Sequence, residues 1–142
     1  MKLEPQIHAL LSRPNFAHLS TLMPDGSPNN SPVWIDVQDD RILISSEESS
    51  LKVRNLRHDS RVAVSVVDFH DPYEEVQIRG RAIEIRDDST FEFLNHISHK
   101  YIGQNYPDRA LEGVVVLVIE ADKVRYAKLP FEHTPSKGGI AS

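Results

Sequence analysis

The sequence predicts an α+β protein, mainly β, in which a small barrel of strands carries attached helices. Three observations predict this class. Short segments of alternating apolar and polar residues are separated by turn residues, which is typical of strands in a meander. One short and one longer helical segment interrupt the six or seven predicted strands. A nearly continuous apolar run near the end needs cover on both faces, as in a curled sheet.

The chain of 142 residues fits one domain with a substantial core. We assign residues 1–130 to this domain. Residues 131–142 are rich in proline, glycine and serine, and we expect a flexible C-terminal tail there.

The first elements are a helix and two strands. Residues 5–12 place Ile7, Leu10 and Leu11 on one side of a short helix. A strand over 16–23 leads to a turn at 24–27, in which Gly26 supplies a positive φ. A returning strand over 28–37 alternates its side chains, with Val33, Ile35 and Val37 on one face and Pro32, Trp34 and Asp36 on the other. Because Pro32 lacks a backbone donor, it indicates an edge, a strand start or a bulge.

The stretch 42–57 predicts an anion site where a strand over 41–46 gives way to a short helix. Ser49 or Ser50 can cap the helix, and the helix N-terminus then presents free N–H groups beside Lys52 and Arg54. These groups suit a phosphate. The alternative is an ordinary surface helix with a serine cap and solvated basic residues. Two acidic residues, Glu47 and Glu48, count against the pocket unless they point away.

The second half predicts three further strands and a helix. Strands over 61–69 and 75–86 alternate clearly, and Gly80 marks a bulge or the close approach of another backbone. Asp87, Asp88 and Ser89 open a helix that ends near residue 102, with its inner stripe formed by Phe91, Leu94, Ile97 and Ser98. The apolar strand over 113–120 continues at 123–129 as a last strand or an extension.

Composition excludes several classes of function. A formal net charge of −5 without a long basic stripe argues against nucleic acid as the main partner. The chain has no cysteine and no apolar run long enough to span a membrane, so we expect a soluble cytoplasmic protein. His96 and His99 lie three residues apart, but no carboxylate follows at a recognisable interval, and we predict no metal site. A glycine-rich dinucleotide fingerprint is also missing.

Several segments together resemble one known family. They are residues 17–23 with Gly26-Ser27-Pro28, the run Ser31-Pro32-Val33-Trp34, the run 52–63, residues 78–82 and Lys100-Tyr101-Ile102-Gly103. In this order and spacing they resemble the split-barrel, pyridoxamine 5′-phosphate oxidase-like oxidoreductases that use flavins or deazaflavins. The nearest branch uses the deazaflavin coenzyme F420. The resemblance covers residues 5–128.

The resemblance implies a six-stranded split β-barrel with a short helix after strand 3 and a longer helix before the last strands. It also implies a homodimer with two cofactor sites at the subunit interface. Lys52 and Arg54 match the residues that hold the cofactor phosphate, and Arg79 and Tyr101 match residues with which the partner subunit closes the site. The remaining cofactor-binding matches are Ser49, Ser50 and Asn55 near the phosphate, and Ser31, Pro32, Val33, Trp34, Ser45 and Ser46 along the ring.

The activity implied is hydride transfer between F420 and a small conjugated organic substrate. Alternatives are an FMN-binding pyridoxamine-phosphate-oxidase-like protein and a non-catalytic flavin or F420 carrier or sensor. The proton donor is solvent or a tyrosine such as Tyr101 or Tyr126. The acidic tail of F420 requires further positive charge, for which the candidates are Arg57, Arg61, Arg79 and Arg81.

Overall fold

A computed structural model describes residues 1–137 of the chain. Three helices and seven strands follow one another along it. In chain order they are α1 (Pro5–Ser12), β1 (Phe16–Leu22), β2 (Pro28–Trp34), β3 (Asp36–Gln38), β4 (Arg41–Glu47), α2 (Leu51–His58), β5 (Arg61–Val67), β6 (Glu74–Asp87), α3 (Glu92–Ile102) and β7 (Val114–Lys128).

The strands form one antiparallel sheet in the order β2-β1-β5-β6-β7-β4-β3. This curled sheet with three helices confirms the predicted α+β, mainly β, split-barrel class. The strand count is seven rather than six because the segment predicted as one strand over 28–37 is two. β2 and β3 lie at opposite edges of the sheet and are separated by Ile35 alone. The chain therefore passes from one edge of the curled sheet to the other at a single residue.

The crossing residue is held by α3. Lys100 Nζ donates to the carbonyl oxygens of Ile35 at 2.6 Å and Leu11 at 2.7 Å, and it lies 3.7 Å from a carboxylate oxygen of Asp36. Burial lowers the pKa of Lys100, and the carboxylate of Asp36 acts in the opposite direction. An ammonium buried in this way ties α1, α3 and the sheet crossing together.

The main core confirms the predicted inward faces. Ile7, Leu10 and Leu11 of α1 are buried, as are Val62, Val64 and Val66 of β5. Gly80 allows the predicted close approach, since a Cβ there would lie 2.1 Å from the carbonyl oxygen of Glu120. The register shifts between Ala82 and Glu84, so Ile85 packs against the core although simple alternation places it outside.

The start of α3 differs from the prediction. β6 continues to Asp87, and the helix begins at Glu92 after Phe91, which has a positive φ of 64°. Asp88 still caps the helix, because its carboxylate accepts from the N–H groups of Phe93 and Leu94 at 3.0 and 2.9 Å. The predicted inner stripe is confirmed by the burial of Phe91, Leu94, Ile97 and Ser98.

β7 is one continuous strand that has apolar cover on both faces. Val115, Leu117 and Ile119 join the main core. On the other face, Val114 packs with residues of α3, and Val116 and Val118 pack against Phe93. Beyond β7, Phe131 and His133 contact the ring of Tyr73 at centroid distances of 5.5 and 5.8 Å. The rest of the predicted tail, from residue 138, lies outside the described residues.

A buried ionic network joins the α1–β1 connection to the β5–β6 loop. Arg13 donates to Asp68 at 2.7 Å and to Glu74 at 3.1 Å, and both carboxylates are nearly inaccessible to solvent. Asn15 also donates to Asp68, and the Tyr126 hydroxyl donates to Glu74 at 2.7 Å. Burial alone raises the pKa of both carboxyl groups, but hydrogen bonds from Arg13 and the other donors outweigh it and lower each pKa.

We expect Arg13→Ala to lower the free energy of unfolding by about 2–3 kcal/mol at pH 7, because it leaves two buried carboxylates without their cation. With Arg13 present, the pKa of each carboxyl group is lower in the folded state than its ordinary value, 3.8 for Asp68 and 4.5 for Glu74. The resulting stabilisation is complete at pH values above these ordinary values and is lost as the pH falls through the folded-state pKa values. Without Arg13, both carboxyl groups lose a hydrogen bond that lowers their pKa, so each folded-state pKa is higher than in the wild type. The difference between variant and wild type should therefore shrink as the pH falls from 7 to 4.

Chemical denaturation across this pH range measures the difference. Arg86→Ala is the matched control, because Arg86 pairs with Glu84 on the exposed surface and such pairs contribute little. Equal losses in the two variants would contradict the assigned role of the buried network.

Candidate functional site

A cleft of about 340 Å³ opens where β4, the start of α2, the ends of β1 and β2, and the α3–β7 loop meet. Its volume lies at the lower end of the range typical of small-molecule sites. Its lining residues are Phe16, Pro32, Val33, Trp34, Ser45, Ser46, Glu47, Lys52, Leu94, Tyr106, Leu111 and Val114. Six of these are predicted cofactor-binding residues: Pro32, Val33, Trp34, Ser45, Ser46 and Lys52.

The polar end of the cleft forms where β4 turns into α2. Ser50 is the N-cap of α2 and accepts from the N–H of Val53 at 3.4 Å, as the sequence predicts. Its hydroxyl also lies 2.9 Å from the hydroxyl of Ser46, the penultimate residue of β4. The first N–H groups of a helix have no intrahelical partner, so this end of the cleft presents donors and a positive helix dipole.

The two predicted phosphate residues diverge on α2. They are two positions apart, which on a helix separates side chains by roughly 200°. Lys52 is half-buried and lines the cleft, whereas Arg54 lies on the exposed side of the helix. Their joint contact with one phosphate therefore stays a prediction.

Two residues predicted near the phosphate face elsewhere. Asn55 is buried, and its amide donates to Thr21 at 3.0 Å and to the sulfur of Met23 at 3.4 Å, which ties α2 to β1. Ser49 is exposed and does not line the cleft. Neither side chain is brought to the cleft in the described chain.

The two acidic residues before α2, Glu47 and Glu48, point in different directions. Glu48 points away, because its carboxylate pairs with Arg57, whose Nε lies 2.9 Å from it. Hydrogen bonds from Arg57 lower the pKa of Glu48. Glu47 is half-buried and lines the cleft together with Lys52. The cleft thus contains one cation and one anion, which limits the negative charge it can hold.

An aromatic wall forms the other end. Trp34 stacks on Tyr101 with ring centroids 4.9 Å apart and an interplanar angle of 4°, and Tyr106 meets Trp34 edge-on at 6.1 Å. Phe16 lies at the rim and is 46% exposed. This end offers flat apolar surfaces to a ring system.

Tyr101 supports the wall from behind. Its hydroxyl donates to the carbonyl oxygen of Asn15 and accepts from the N–H of Ile35 at 3.0 Å. Burial raises the pKa of Tyr101 to about 12, so the phenol keeps its proton at neutral pH. In the described chain Tyr101 therefore supports Trp34 on one side of the cleft. That Tyr101 also closes the site of the partner subunit stays a prediction. The other candidate proton donor, Tyr126, belongs to the Arg13 network.

Ser31 and Arg79 lie outside the cleft. Ser31 is on β2, and its hydroxyl is buried without a hydrogen-bond partner among residues 1–137. Arg79 is exposed on β6. Of the four arginines considered for an acidic tail, Arg57, Arg61 and Arg81 pair with Glu48, Asp59 and Asp122. Arg79 makes no such pair within the described part of the chain.

Sequence reasoning missed the apolar half of the lining. Phe16, Leu94, Tyr106, Leu111 and Val114 come from a strand start, a helix, a loop and another strand start. Only Tyr106 and Leu111 gave a signal, as bulky residues in an otherwise polar loop. Residues 1–137 contain no group of three or more metal-ligating side chains, and none of their helices is long and apolar enough to cross a membrane.

Comparison with known proteins gives a family and a set of related structures. The family model described as pyridoxamine 5′-phosphate oxidase matches residues 3–128. A solved structure named F420 reductase has a TM-score of 0.75 and 28% identity, over 83% of this chain and 94% of that chain. A conserved hypothetical protein of Mycobacterium tuberculosis has a TM-score of 0.76 and 24% identity, over 96% of this chain and 94% of that chain.

General Stress Protein 26 of Bacillus anthracis has a TM-score of 0.68 and 20% identity, over 89% of this chain and 95% of that chain. At 24% and 20% identity, the last two structures support the fold alone. The search of curated proteins finds no significant match.

We expect Tyr101→Phe to lower the free energy of unfolding by about 1–3 kcal/mol, because it keeps the stack on Trp34 but leaves the buried N–H of Ile35 without its acceptor. Urea denaturation measures the loss. Tyr106→Phe is the matched control, since the Tyr106 hydroxyl has no hydrogen-bond partner in the described residues. A loss no larger than that of the control would show that the hydroxyl does not hold the crossing.

Proposed function

The chain belongs to the pyridoxamine 5′-phosphate oxidase family, and from this premise we propose that it is an oxidoreductase whose cleft binds the deazaflavin coenzyme F420. The proposal is that it transfers a hydride between F420 and a small conjugated organic substrate. The structure named F420 reductase, to which the chain is similar over most of its length, supports this choice of cofactor.

The observation that carries the proposal is the position of Lys52. A half-buried ammonium faces the cleft at the start of α2, beside the hydroxyls of Ser45 and Ser46. The side chain has no acidic partner within salt-bridge distance in residues 1–137. An ammonium, hydroxyl donors and a helix N-terminus form a donor set that fits a phosphate monoester or diester.

The aromatic end fits the planar ring of such a cofactor. Trp34 and Tyr106 present apolar surface, and Leu94, Leu111 and Val114 exclude water from the same side. Pro32 on β2 has no N–H, so the edge strand next to the cleft has one backbone hydrogen-bond donor fewer. A cofactor whose phosphate binds at the polar end and whose ring binds at the aromatic end is thereby held in one orientation.

When bound, the deazaflavin supplies the hydride chemistry itself. The chain binds and orients the cofactor through Lys52 and the serine hydroxyls, and it keeps water from the ring through the apolar wall. Tyr101 keeps its proton in a hydrogen bond to Asn15. Among the described residues that line the cleft, Glu47 is the one with a carboxyl group, which could orient a substrate or exchange a proton with it.

FMN is the second candidate, and one observation favours it. Glu47 in the cleft opposes a polyanionic ligand, and FMN carries less negative charge than F420. The same phosphate and ring contacts serve either cofactor. A cofactor carrier or sensor would use these contacts without turnover.

We further propose that the active form is a homodimer. Phe16, Val67 and Phe69 are 46%, 42% and 68% exposed. β1 and β5 pair so that Ala17 lies opposite Val66, which makes Phe16 and Val67 neighbours. The resulting apolar strip is continuous with the cleft through Phe16. A second copy that covers this strip would also close the cleft.

Purified protein should be colourless and should gain about 2.7 kcal/mol of stability when F420 is present at a hundredfold excess over its dissociation constant. Absorbance spectra identify any bound flavin, and thermal unfolding with each cofactor measures the gain. A yellow protein stabilised by FMN alone would replace F420 with FMN. Binding without reduction of any conjugated substrate would favour the carrier. Failure of both cofactors to bind would contradict the proposal.

We expect Lys52→Ala to weaken cofactor binding by about 1.5–3 kcal/mol, as for the loss of a charge-assisted hydrogen bond to phosphate. Arg54→Ala should cost less, because Arg54 projects from the exposed side of α2. Tryptophan-quenching titration measures both, since Trp34 lines the cleft. Lys137→Ala, in the exposed tail, is the control of equal charge. Unchanged affinity in Lys52→Ala would refute the phosphate assignment.

A further inference from the structure

The carboxylate of Glu47 has no partner in the fold. Glu47 is the last residue of β4 and is half-buried in the lining of the cleft. Its carboxylate makes no hydrogen bond and no salt bridge with any of residues 1–137, and this includes Lys52, which lines the same cleft. Moving a carboxylate partly out of water without a partner costs free energy. The contacts within the described chain therefore give no structural reason for an acidic residue at this position.

The strand register places Glu47 beside the aromatic end of the cleft. Glu47 is paired with Val114 of β7, and residues directly opposite each other on two strands have neighbouring side chains on the same face of the sheet. Val114 is buried in a cluster against which Trp34, Tyr106 and Leu111 pack. The same three residues line the cleft together with Glu47. The carboxylate therefore lies at the border between the polar end and the aromatic wall.

An unpaired carboxylate beside aromatic rings attracts organic cations. A carboxylate accepts charge-assisted hydrogen bonds from N–H groups, and a planar group that presents two N–H donors can bind both of its oxygens. The faces of tryptophan and tyrosine rings are negative and attract a cation that lies over them. Lys52 acts in the opposite direction, but it belongs to the start of α2, beside the serine hydroxyls. The two ends of the cleft therefore prefer ligand groups of opposite charge.

We propose that Glu47 determines substrate specificity, and that the substrate is a flat conjugated compound with a positively charged N–H group, such as an amidinium or a protonated nitrogen heterocycle. The N–H group pairs with the carboxylate of Glu47, and the conjugated part lies along the aromatic wall beside the cofactor ring. As a statement about the substrate, this inference rests on the proposed function. Binding of the cation itself depends on the cleft alone.

Three probes that share one ring and differ in charge test the preference by calorimetric titration of the full chain at neutral pH. They are benzamidine, which is a cation, neutral benzamide and anionic benzoate. We expect benzamidine to bind about tenfold more tightly than benzamide, and benzoate to bind most weakly. Glu47→Gln should reduce the preference for benzamidine to about threefold or less and leave the affinity for benzamide unchanged.

Glu48→Gln is the matched control, because it removes the neighbouring carboxylate, which pairs with Arg57 outside the cleft. All three affinities should stay within about twofold in this variant, since the loss of an exposed ion pair has little effect. Equal binding of the three probes, or a preference for benzamidine that survives in Glu47→Gln, would overturn the proposal.

Thermal unfolding without any probe distinguishes a ligand-binding carboxylate from one that supports the fold. Glu47→Gln removes no contact among residues 1–137, so its Tm should stay within about 1 °C of the wild-type value or rise. A fall in Tm of several degrees would show that the carboxylate stabilises the protein, and it would overturn the assigned role.

Titration of benzamidine into protein loaded with F420 separates this inference from the proposed function. Benzamidine should bind to the loaded protein with an affinity within about threefold of that for the free protein, because cation and phosphate pair with different side chains of the cleft. Mutual exclusion of benzamidine and F420 would overturn the role of the cation as a substrate. If neither F420 nor FMN binds while benzamidine binding still depends on Glu47, the proposed function fails and the cation site stands.

Discussion

The structure depends on how the chain crosses the open side of the curled sheet at Ile35. Only this residue separates the two edge strands, and its backbone is held from α3 by the ammonium of Lys100 and the hydroxyl of Tyr101. The residues on either side are then fixed: Trp34 lines the cleft, and Asp36 accepts a hydrogen bond from His96 and lies 3.7 Å from the ammonium of Lys100. Leaving a buried N–H or carbonyl group without a hydrogen-bond partner is costly, so these bonds hold the backbone of Ile35 in place. Because Trp34 is the next residue, the same bonds also position the aromatic end of the cleft.

The sequence predicted those parts of the fold that depend on the residues of a single short segment. Ser50 caps α2 because a serine hydroxyl before an amphipathic turn satisfies a free N–H, and Gly80 approaches β7 because no other residue fits there. The break at Ile35 could not be predicted, since residues 28–37 alternate as one strand would. The crossing is held by hydrogen bonds from Lys100 and Tyr101 of α3, some 65 residues later in the chain. Long-range contacts of this kind leave no local pattern.

The candidate site shows the same division. The strand-to-helix junction pointed to Lys52, and the family resemblance added Ser45 and Ser46; all three line the cleft. The resemblance also places Asn55 near the phosphate, but its side chain donates a hydrogen bond to Thr21 on β1. The apolar lining was missed because Leu94, Tyr106 and Leu111 come from segments that approach the cleft only after α3 packs on β7. The resemblance supplied a family, whereas the orientation of individual side chains required the fold.

The distribution of charge limits what the cleft can bind. Four exposed arginines of this acidic chain, Arg57, Arg61, Arg81 and Arg86, are paired with a neighbouring carboxylate, and such pairs contribute little to stability or binding. Lys52 differs from these arginines, because it lines the cleft and makes no salt bridge within the part of the chain that the structure describes. Since Glu47 shares the cleft with Lys52, the cleft suits one phosphate and opposes further negative charge. A cofactor with an acidic tail would therefore need positive charge outside the cleft.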